Sequence, residues 1–340
     1  MANLKTKYLG LELKNPIIAG ACNLSLVPSN LKKMEENGVG AIVYKSLFEE
    51  QIQLENLELY ERQKEYEERH AEMITLYPNT VNETVYSKEH LYNLKKARDS
   101  VSVPLIASLN AINDETWVEY AVKLEETGVD ALELNFYTVP EKQGHECEEI
   151  EQNQIKTVRA VREAVKIPVA IKLSPFYSNP VKLIMGLEKA GANGFVLFNR
   201  LFQPDIDISA EQHVFPNNLS SQSDSRLPLR LTGLLYGNIG ASVCASSGIM
   251  NGADAIKMLL AGANCVQAVS ALYLHKIDII SKIVDEIDAW MDKKGYESIE
   301  SFRGKLSNAR SENKVPYHRA QYFDFKMSTA AIMKKYKVIN

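Results

Sequence analysis

The sequence predicts an α/β fold, a (β/α)8 TIM barrel, and three observations predict it. Short apolar runs recur along the chain, amphipathic helical patterns alternate with them, and one unit, helix–Gly–x–strand, repeats as "EETGVDALEL", "EKAGANGFVLF" and "LLAGANCVQAV". The apolar runs span 16–22, 40–46, 103–110, 130–136, 167–174, 193–199, 241–248 and 264–270, eight in all. Near-continuous apolar runs of this length suit parallel strands covered on both faces. Eight strand-plus-helix units with right-handed crossovers close most naturally into a barrel. A doubly wound open sheet is the alternative, and the Gly-rich dinucleotide turn that would favour it is missing.

The helical patterns carry their own start and stop signals. "PSNLKKMEENG" follows a Ser/Asn cap signal and ends at a glycine. "NDETWVEYAVKLEETG" has acidic residues in its first turn, apolar residues at helical spacing and a glycine stop, and "NGADAIKMLLAGA" repeats the plan. A last helix is predicted to begin near Tyr273, after the eighth strand. Two connections are too long to be plain links: residues 47–86 after the second strand and 200–228 after the sixth. Long loops in compact domains act as lids or binding loops. The domain reading is a barrel over 1–306, followed by a polar, basic extension over 307–340 that packs on the barrel or on a partner subunit.

Composition narrows the class. The chain has 340 residues, 45% apolar and 24% charged, with a formal net charge of -4. Basic residues do not outnumber acidic ones, which argues against nucleic acid as a partner. No stretch reaches the ~18 uninterrupted apolar residues of a membrane span, and the start lacks a signal-peptide core. Cys22, Cys147, Cys244 and Cys265 are widely spaced, without the pattern of a zinc site or a disulfide framework. The expectation is a cytoplasmic protein that binds neither nucleic acid nor membrane nor metal.

Reactive residues of such barrels lie at the carboxyl ends of the strands. Here those ends read Lys45-Ser46, Asn110, Asn135 followed by Tyr137 and Thr138, Lys172, Asn199-Arg200, Ser247-Gly248 and Val269-Ser270. A single strand lysine can simply reach solvent along its stem, but every strand end being polar points to one functional rim. Lys172, in "VAIKLSP", needs an anionic counterpart. Two chemistries would employ such a lysine: a carbonyl substrate forming a Schiff base, or a flavin whose N1–C2=O edge gains negative charge on reduction. Ser246, Ser247, Gly248 and Ser270 suit a phosphate held between the loops after strands seven and eight. An ordinary turn with a helix cap is the competing explanation for both segments.

At these residues the sequence resembles the dihydroorotate dehydrogenase family of FMN-dependent barrel oxidoreductases, over nearly the whole chain. The motifs that carry the resemblance are "LKNPIIAGA", "AIVYKS", "ALELN", "VAIKLSP", "ASSGIMNGADAIKMLLAGANCVQAVSAL" and "MDKKGYESIESFRGKLS". "VLFNRLFQPDIDI" and "RLPLRLTGLL" are similar to the branch called dihydroorotate dehydrogenase-like. The resemblance implies FMN, its phosphate at Ser247, Gly248, Val269 and Ser270, and Lys172 beside the flavin N1 edge. It implies Gly20, Ala21, Lys45, Ser46 and Asn135 around the ring and the substrate, with Asn199 and Arg200 in the substrate set. The family reaction moves a hydride from a ring C–C bond to flavin N5 while a side-chain base takes the neighbouring proton.

The chain departs from the family pattern at the base. The family loop Asn-x-x-Cys/Ser-Pro-Asn reads Asn135-Phe136-Tyr137-Thr138-Val139-Pro140, so Thr138 falls at the base position. Thr138, Tyr137 and Lys45 are the candidate catalytic residues. A threonine hydroxyl needs an activating partner; strand alternation would place Tyr137 on the face of Asn135, and its unperturbed pKa of ~10 suits donation better than abstraction. His145 and Cys147 sit on a stretch read as a loop that could fold over the site, with ordinary loop solvation as the competing explanation. Arg200 replaces a small hydroxyl; it suits a substrate carboxylate or a salt bridge to Asp205 or Asp207. The functional expectation is oxidation of dihydroorotate, with another small anionic ring substrate, or a barrel that holds FMN or a phosphate without this activity, as the alternatives. Partners expected are a small anionic ring substrate, a soluble electron acceptor and a second copy in a homodimer; some family members add an iron–sulfur flavoprotein.

Overall fold

The computed structural model describes residues 2–54, 85–137, 147–200, 204–214 and 219–318. Eight strands fall inside the eight apolar runs: β1 Ile17–Ala19, β2 Ala41–Val43, β3 Leu105–Asn110, β4 Ala131–Asn135, β5 Val169–Leu173, β6 Gly194–Leu197, β7 Ser242–Ser246 and β8 Cys265–Ala268. Each pairs in parallel with the next, and β8 pairs with β1 through Val266–Ile17 and Ala268–Ala19, so the sheet closes. This closure rules out the open sheet. A short strand, Leu47–Phe48, extends the pairing at the end of β3.

Helices alternate with the strands: α1 Pro28–Glu36, α2 Val85–Ser100, α3 Asp114–Glu125, α4 Cys147–Ala164, α5 Pro180–Lys189, α6 Arg226–Leu235, α7 Gly252–Ala261, α8 Ser270–His275 and α9 Ile279–Lys294. Two expected starts shift. α1 begins at Pro28 with Val27 at its N-cap and no side-chain cap, so Ser29 and Asn30 lie inside it; proline's fixed φ and missing N–H make it a good first residue. α8 begins at Ser270 rather than near Tyr273, because the strand ends at Ala268 and the chain turns at Val269. Cys147 opens α4, so it belongs to a helix and not to a loop. The long connection after β6 contains an exposed antiparallel hairpin, Asp205–Asp207 with Gln212–Val214.

Strand alternation sorts side chains into two compartments. Outward residues such as Ile17, Ile42, Leu132, Ile171, Phe195 and Val243 join the shell beneath the helices. Inward residues at the lower level, among them Ile18, Val43, Ile106, Val196, Cys244 and Cys265, meet Tyr8, Leu9 and Leu13. Those three come from an amino-terminal hairpin, Thr6–Tyr8 with Leu11–Leu13, that stoppers the barrel. Thr6 Oγ1 donates to the Asn264 carbonyl at 2.9 Å and the Leu9 N–H to Ser242 Oγ at 3.2 Å, just below β8 and β7. The stopper needs a glycine: a Cβ on Gly194 would lie 2.5 Å from Leu9 Cδ2.

Outside the barrel, the His90 ring on α2 packs edge-on against Tyr44 with centroids 5.5 Å apart, and it is only 6% exposed. Burial, then the nearby Lys45 ammonium, depresses the His90 pKa to about 4. The unfolded chain would take up this proton at about pH 6.5, so the folded state gains stability above that pH and loses it as pH falls toward 4. The full effect is about 3 kcal/mol. Urea unfolding at several pH values is expected to show this slope, and His90→Leu to flatten it; an equal slope in the variant would assign the acid sensitivity elsewhere.

Beyond α9 the chain wraps back over α6 and α7. The Tyr236 ring fills the space above Gly304 and Gly262, where a Cβ would lie 2.3 and 2.4 Å from it, and Arg303 and Arg310 cover its faces. Tyr317 sits against Gly233 and donates to the Leu306 carbonyl at 2.6 Å. The rest of the predicted extension, 319–340, lies outside the described residues.

Candidate active site at the barrel mouth

Above the apolar lower level, the inward positions turn polar. Glu133 of β4, Lys172 of β5 and Gln267 of β8 are 1%, 7% and 1% exposed. Lys172 Nζ lies 3.3 Å from both Glu133 Oε1 and Gln267 Oε1, and Gln267 Nε2 donates to Glu133 Oε2 at 2.5 Å. The three side chains form a closed ring across the barrel interior. Lys172 therefore does not reach for solvent; its buried charge is paired, as burial demands.

A second network lies beside it on β3 and β4. Asn135 Nδ2 donates to Ser108 Oγ at 2.8 Å and to the Leu109 carbonyl at 3.1 Å, and the Ser46 and Ser108 hydroxyls are 2.7 Å apart. The Asn135 amide is thus held by both donor protons, which leaves its carbonyl oxygen to accept. Lys45 precedes Ser46; its backbone N–H donates to Ser25 Oγ at 2.8 Å, and burial lowers its side-chain pKa. Gly20 is tightly packed at the end of β1, where a Cβ would stand 2.6 Å from Val269 Cγ2 and 3.1 Å from Gln267 Oε1.

The opposite wall is built from hydroxyls. Ser247 and Gly248 are consecutive left-handed residues, φ 72° and 74°, and a side chain on Gly248 would strike backbone, 2.6 Å from Ser225 N and 2.8 Å from the Ser221 carbonyl oxygen. Into this turn inserts Ser220. Its Oγ accepts from the Gly248 N–H at 3.1 Å and donates to Ser270 Oγ at 2.9 Å, and its N–H donates to Ser270 Oγ at 2.8 Å. With both acceptor positions of Ser270 Oγ engaged, its own proton is left to donate. Ala21, Lys172, Ser220, Ser246, Ser247, Gly248, Gln267, Val269 and Ser270 border one cavity of about 160 Å³. A neighbouring compartment of about 320 Å³ shares Phe198, Asn199, Arg200 and Ser247 with it and adds Phe176, Arg226 and Leu227.

The structure brings Ala21, Lys172, Asn199, Arg200, Ser247, Gly248, Val269 and Ser270 to one cavity, keeps Asn135 and Ser46 in the adjoining Ser108 network and sets the Lys45 ammonium over the Phe48 ring, with three qualifications. Arg200 pairs with Asp224 at 3.0 Å, not with the residues named from sequence: the Asp205 and Asp207 carboxylates accept N–H groups within their own hairpin. The Asp224 carboxyl is held below the usual range by the Ser221 N–H and by Arg200, against the effect of its burial. Tyr137 stands beyond the last paired residue of β4 and is 39% exposed, so strand alternation does not reach it; Phe136 between them is buried against Trp117. Thr138 and His145 lie outside the described residues. Sequence reasoning also passed over Glu133, Gln267, Ser108 and Ser220. The first three had a signal, a polar residue in an inward register of an apolar strand; Ser220 had none. Among the described residues no group of His, Cys, Asp or Glu could hold a metal ion, and no helix is long and apolar enough to cross a membrane.

Barrels of this architecture work at the carboxyl-terminal face, and here the Lys172–Glu133–Gln267 ring and the hydroxyls of Ser220, Ser247 and Ser270 meet at that face around one cavity, the arrangement of an enzyme barrel. Comparison with known proteins makes the class specific. The dihydroorotate dehydrogenase family model matches residues 3–291, and the chain belongs to that family. It is 30% identical over 301 residues to the dihydroorotate dehydrogenase B (NAD(+)) catalytic subunit of Methanocaldococcus jannaschii, covering 85% of this chain and 93% of that protein. It is 27% identical over 311 residues to the protein of the same name from Pyrococcus furiosus, covering 89% and 98%. With the dihydroorotate dehydrogenase A (fumarate) of Limosilactobacillus reuteri it shares 29% identity over 309 residues, covering 87% and 96%. Membership makes the chain an FMN-dependent oxidoreductase acting on a CH–CH bond.

Proposed function

We propose that this chain binds FMN across the two compartments at the barrel mouth and oxidises dihydroorotate to orotate, a step of pyrimidine biosynthesis. The observation that carries the reading is the cavity with Lys172 and Gln267 in its floor and Ser220, Ser247, Gly248 and Ser270 in its wall. The residues present fit the cofactor. The hydroxyl of Ser270 has a proton to give a phosphate, the left-handed turn at Gly248 allows backbone to approach closely, and the Lys172 cation suits the ring edge that becomes negative on reduction.

When bound, FMN supplies the acceptor for the hydride removed from the substrate ring. The chain's residues do the rest. Asn135 would offer a fixed carbonyl oxygen, Ala21, with Gly20, Lys45 and Ser46 beside it in sequence or on the neighbouring strand, would hold the ring from the β1 and β2 side, and Asn199 and Arg200 would receive the substrate carboxylate at the rim. Thr138 takes the proton from the neighbouring carbon, with Tyr137, exposed next to it, as the alternative base. The relatives' names specify NAD(+) and fumarate as acceptors, which supports a soluble electron acceptor. Residues 1–306 form the catalytic barrel and 307–340 an extension of it; the working state is a cytoplasmic homodimer, to be checked by light scattering on the eluting protein.

The test is anaerobic mixing with dihydroorotate while the flavin absorbance is followed. Bleaching is expected. Thr138→Ala should slow it by about 10²–10⁴-fold, the usual contribution of a general base. Equal rates in Thr138→Ala, Tyr137→Phe and the parent would sink the base assignment. A second reading, another small anionic ring substrate, is favoured by the outer compartment, where Arg200 and Arg226 stand with Phe176; a yellow protein that dihydroorotate does not bleach would select it. A folded protein that takes up no FMN would sink both readings.

A further inference from the structure

We propose that Glu133 and Gln267 are positioning residues for Lys172: they hold its ammonium at the cavity floor, so that the reducible ring edge of the bound cofactor meets a fixed cation. The inference rests on the FMN reading above and deepens it.

A lysine stem is long enough to carry its charge out to solvent, and does so when it can. Lys172 instead stays 7% exposed, tied at 3.3 Å to acceptors from two other strands. Below the ring lies the buried level with Tyr8, Cys244 and Cys265, which offers the ammonium no carboxylate. Lys172 and Gln267 border the cavity while Glu133 does not. The ammonium has three donor protons. Two are consumed by Glu133 and Gln267, which leaves one for whatever occupies the cavity.

The ring closes only because of what each member can donate and accept. Lysine only donates and an ionised carboxylate only accepts, while the Gln267 amide does one at each end. Its orientation is therefore dictated: NH2 toward Glu133, oxygen toward Lys172. A glutamine at 133 cannot close the ring, because two amides that both turn oxygen to Lys172 must face each other NH2 to NH2. An aspartate keeps the charge and loses the reach. That difference separates position from charge, since a negative charge retained at 133 with the clamp broken leaves Lys172 free to swing.

The experiment uses FMN-loaded full-length protein and reads two quantities besides turnover: the FMN Kd and the flavin midpoint potential against a reference dye. Glu133→Asp is expected to weaken FMN binding at least tenfold and to move the potential to more negative values. Lys172→Met should move it the same way, and adding Glu133→Asp to Lys172→Met should produce no further shift. Where Glu133→Asp is too unstable to load, Gln267→Met breaks the ring from β8 and must give a negative shift. A loaded Glu133→Asp protein with the parent's potential and Kd overturns the proposal, even if its Tm falls, because that outcome leaves Glu133 a purely structural partner. Failure of the parent itself to bind FMN is a different result, and defeats the functional reading instead.

Discussion

Replacing Lys172 with methionine is expected to destabilise the barrel by about 3–5 kcal/mol at neutral pH, the penalty for leaving a buried charge without its partner. Glu133 would keep only the Gln267 amide as a donor, at 1% exposure and with the stoppered apolar level beneath it. The loss arises from the orphaned carboxylate rather than from the missing lysine. The triple variant Lys172→Met/Glu133→Leu/Gln267→Met should therefore recover most of the stability, since well-packed apolar replacements of a buried ion pair are commonly neutral or better. It should not recover turnover. Urea unfolding of the parent, the single variant and the triple variant separates the two effects. A single variant within 1 kcal/mol or so of the parent would mean that water reaches the pair and that the site is not dry.

The second large effect is expected at Gly248. Gly248→Ala places a side chain at φ +74°, where a non-glycine residue is strained, and drives its Cβ to 2.6 Å from Ser225 N. Strain and overpacking together should cost about 2–4 kcal/mol. Relief is available only by pushing the 220–225 segment outward. That movement would take Ser220 away from Gly248 and Ser270 and Asp224 away from Arg200. On the proposed reading, both the phosphate wall and the substrate cation are then disturbed, and FMN binding should weaken by about tenfold to hundredfold, the equivalent of one lost hydrogen bond to a charged group. Fluorescence titration of the stripped protein with FMN measures it. Unchanged affinity would place the phosphate elsewhere in the cavity.

Much of the molecule was legible in one dimension. The apolar runs marked every barrel strand, because a strand buried on both faces leaves a local composition that needs no partner to be read. The glycine stops and acidic first turns marked helices, because capping is satisfied within a few residues. The strand ends announced a polar rim, since the barrel places its loops at one face. Family motifs then supplied a chemistry, and the family comparison agrees with it.

What folding alone decided are the contacts between residues far apart in the chain. "ALELN" shows a glutamate in an apolar strand, but not that it meets Gln267, 134 residues away, or that both enclose Lys172. The alternation of a strand is local, whereas the partner across a barrel depends on closure and stagger, which no short window contains. Ser220 and Asp224 stayed hidden for the same reason. They belong to a segment that packs on the left-handed turn at Ser247 and Gly248, so periodicity could identify the strands, and only three-dimensional packing could choose their companions.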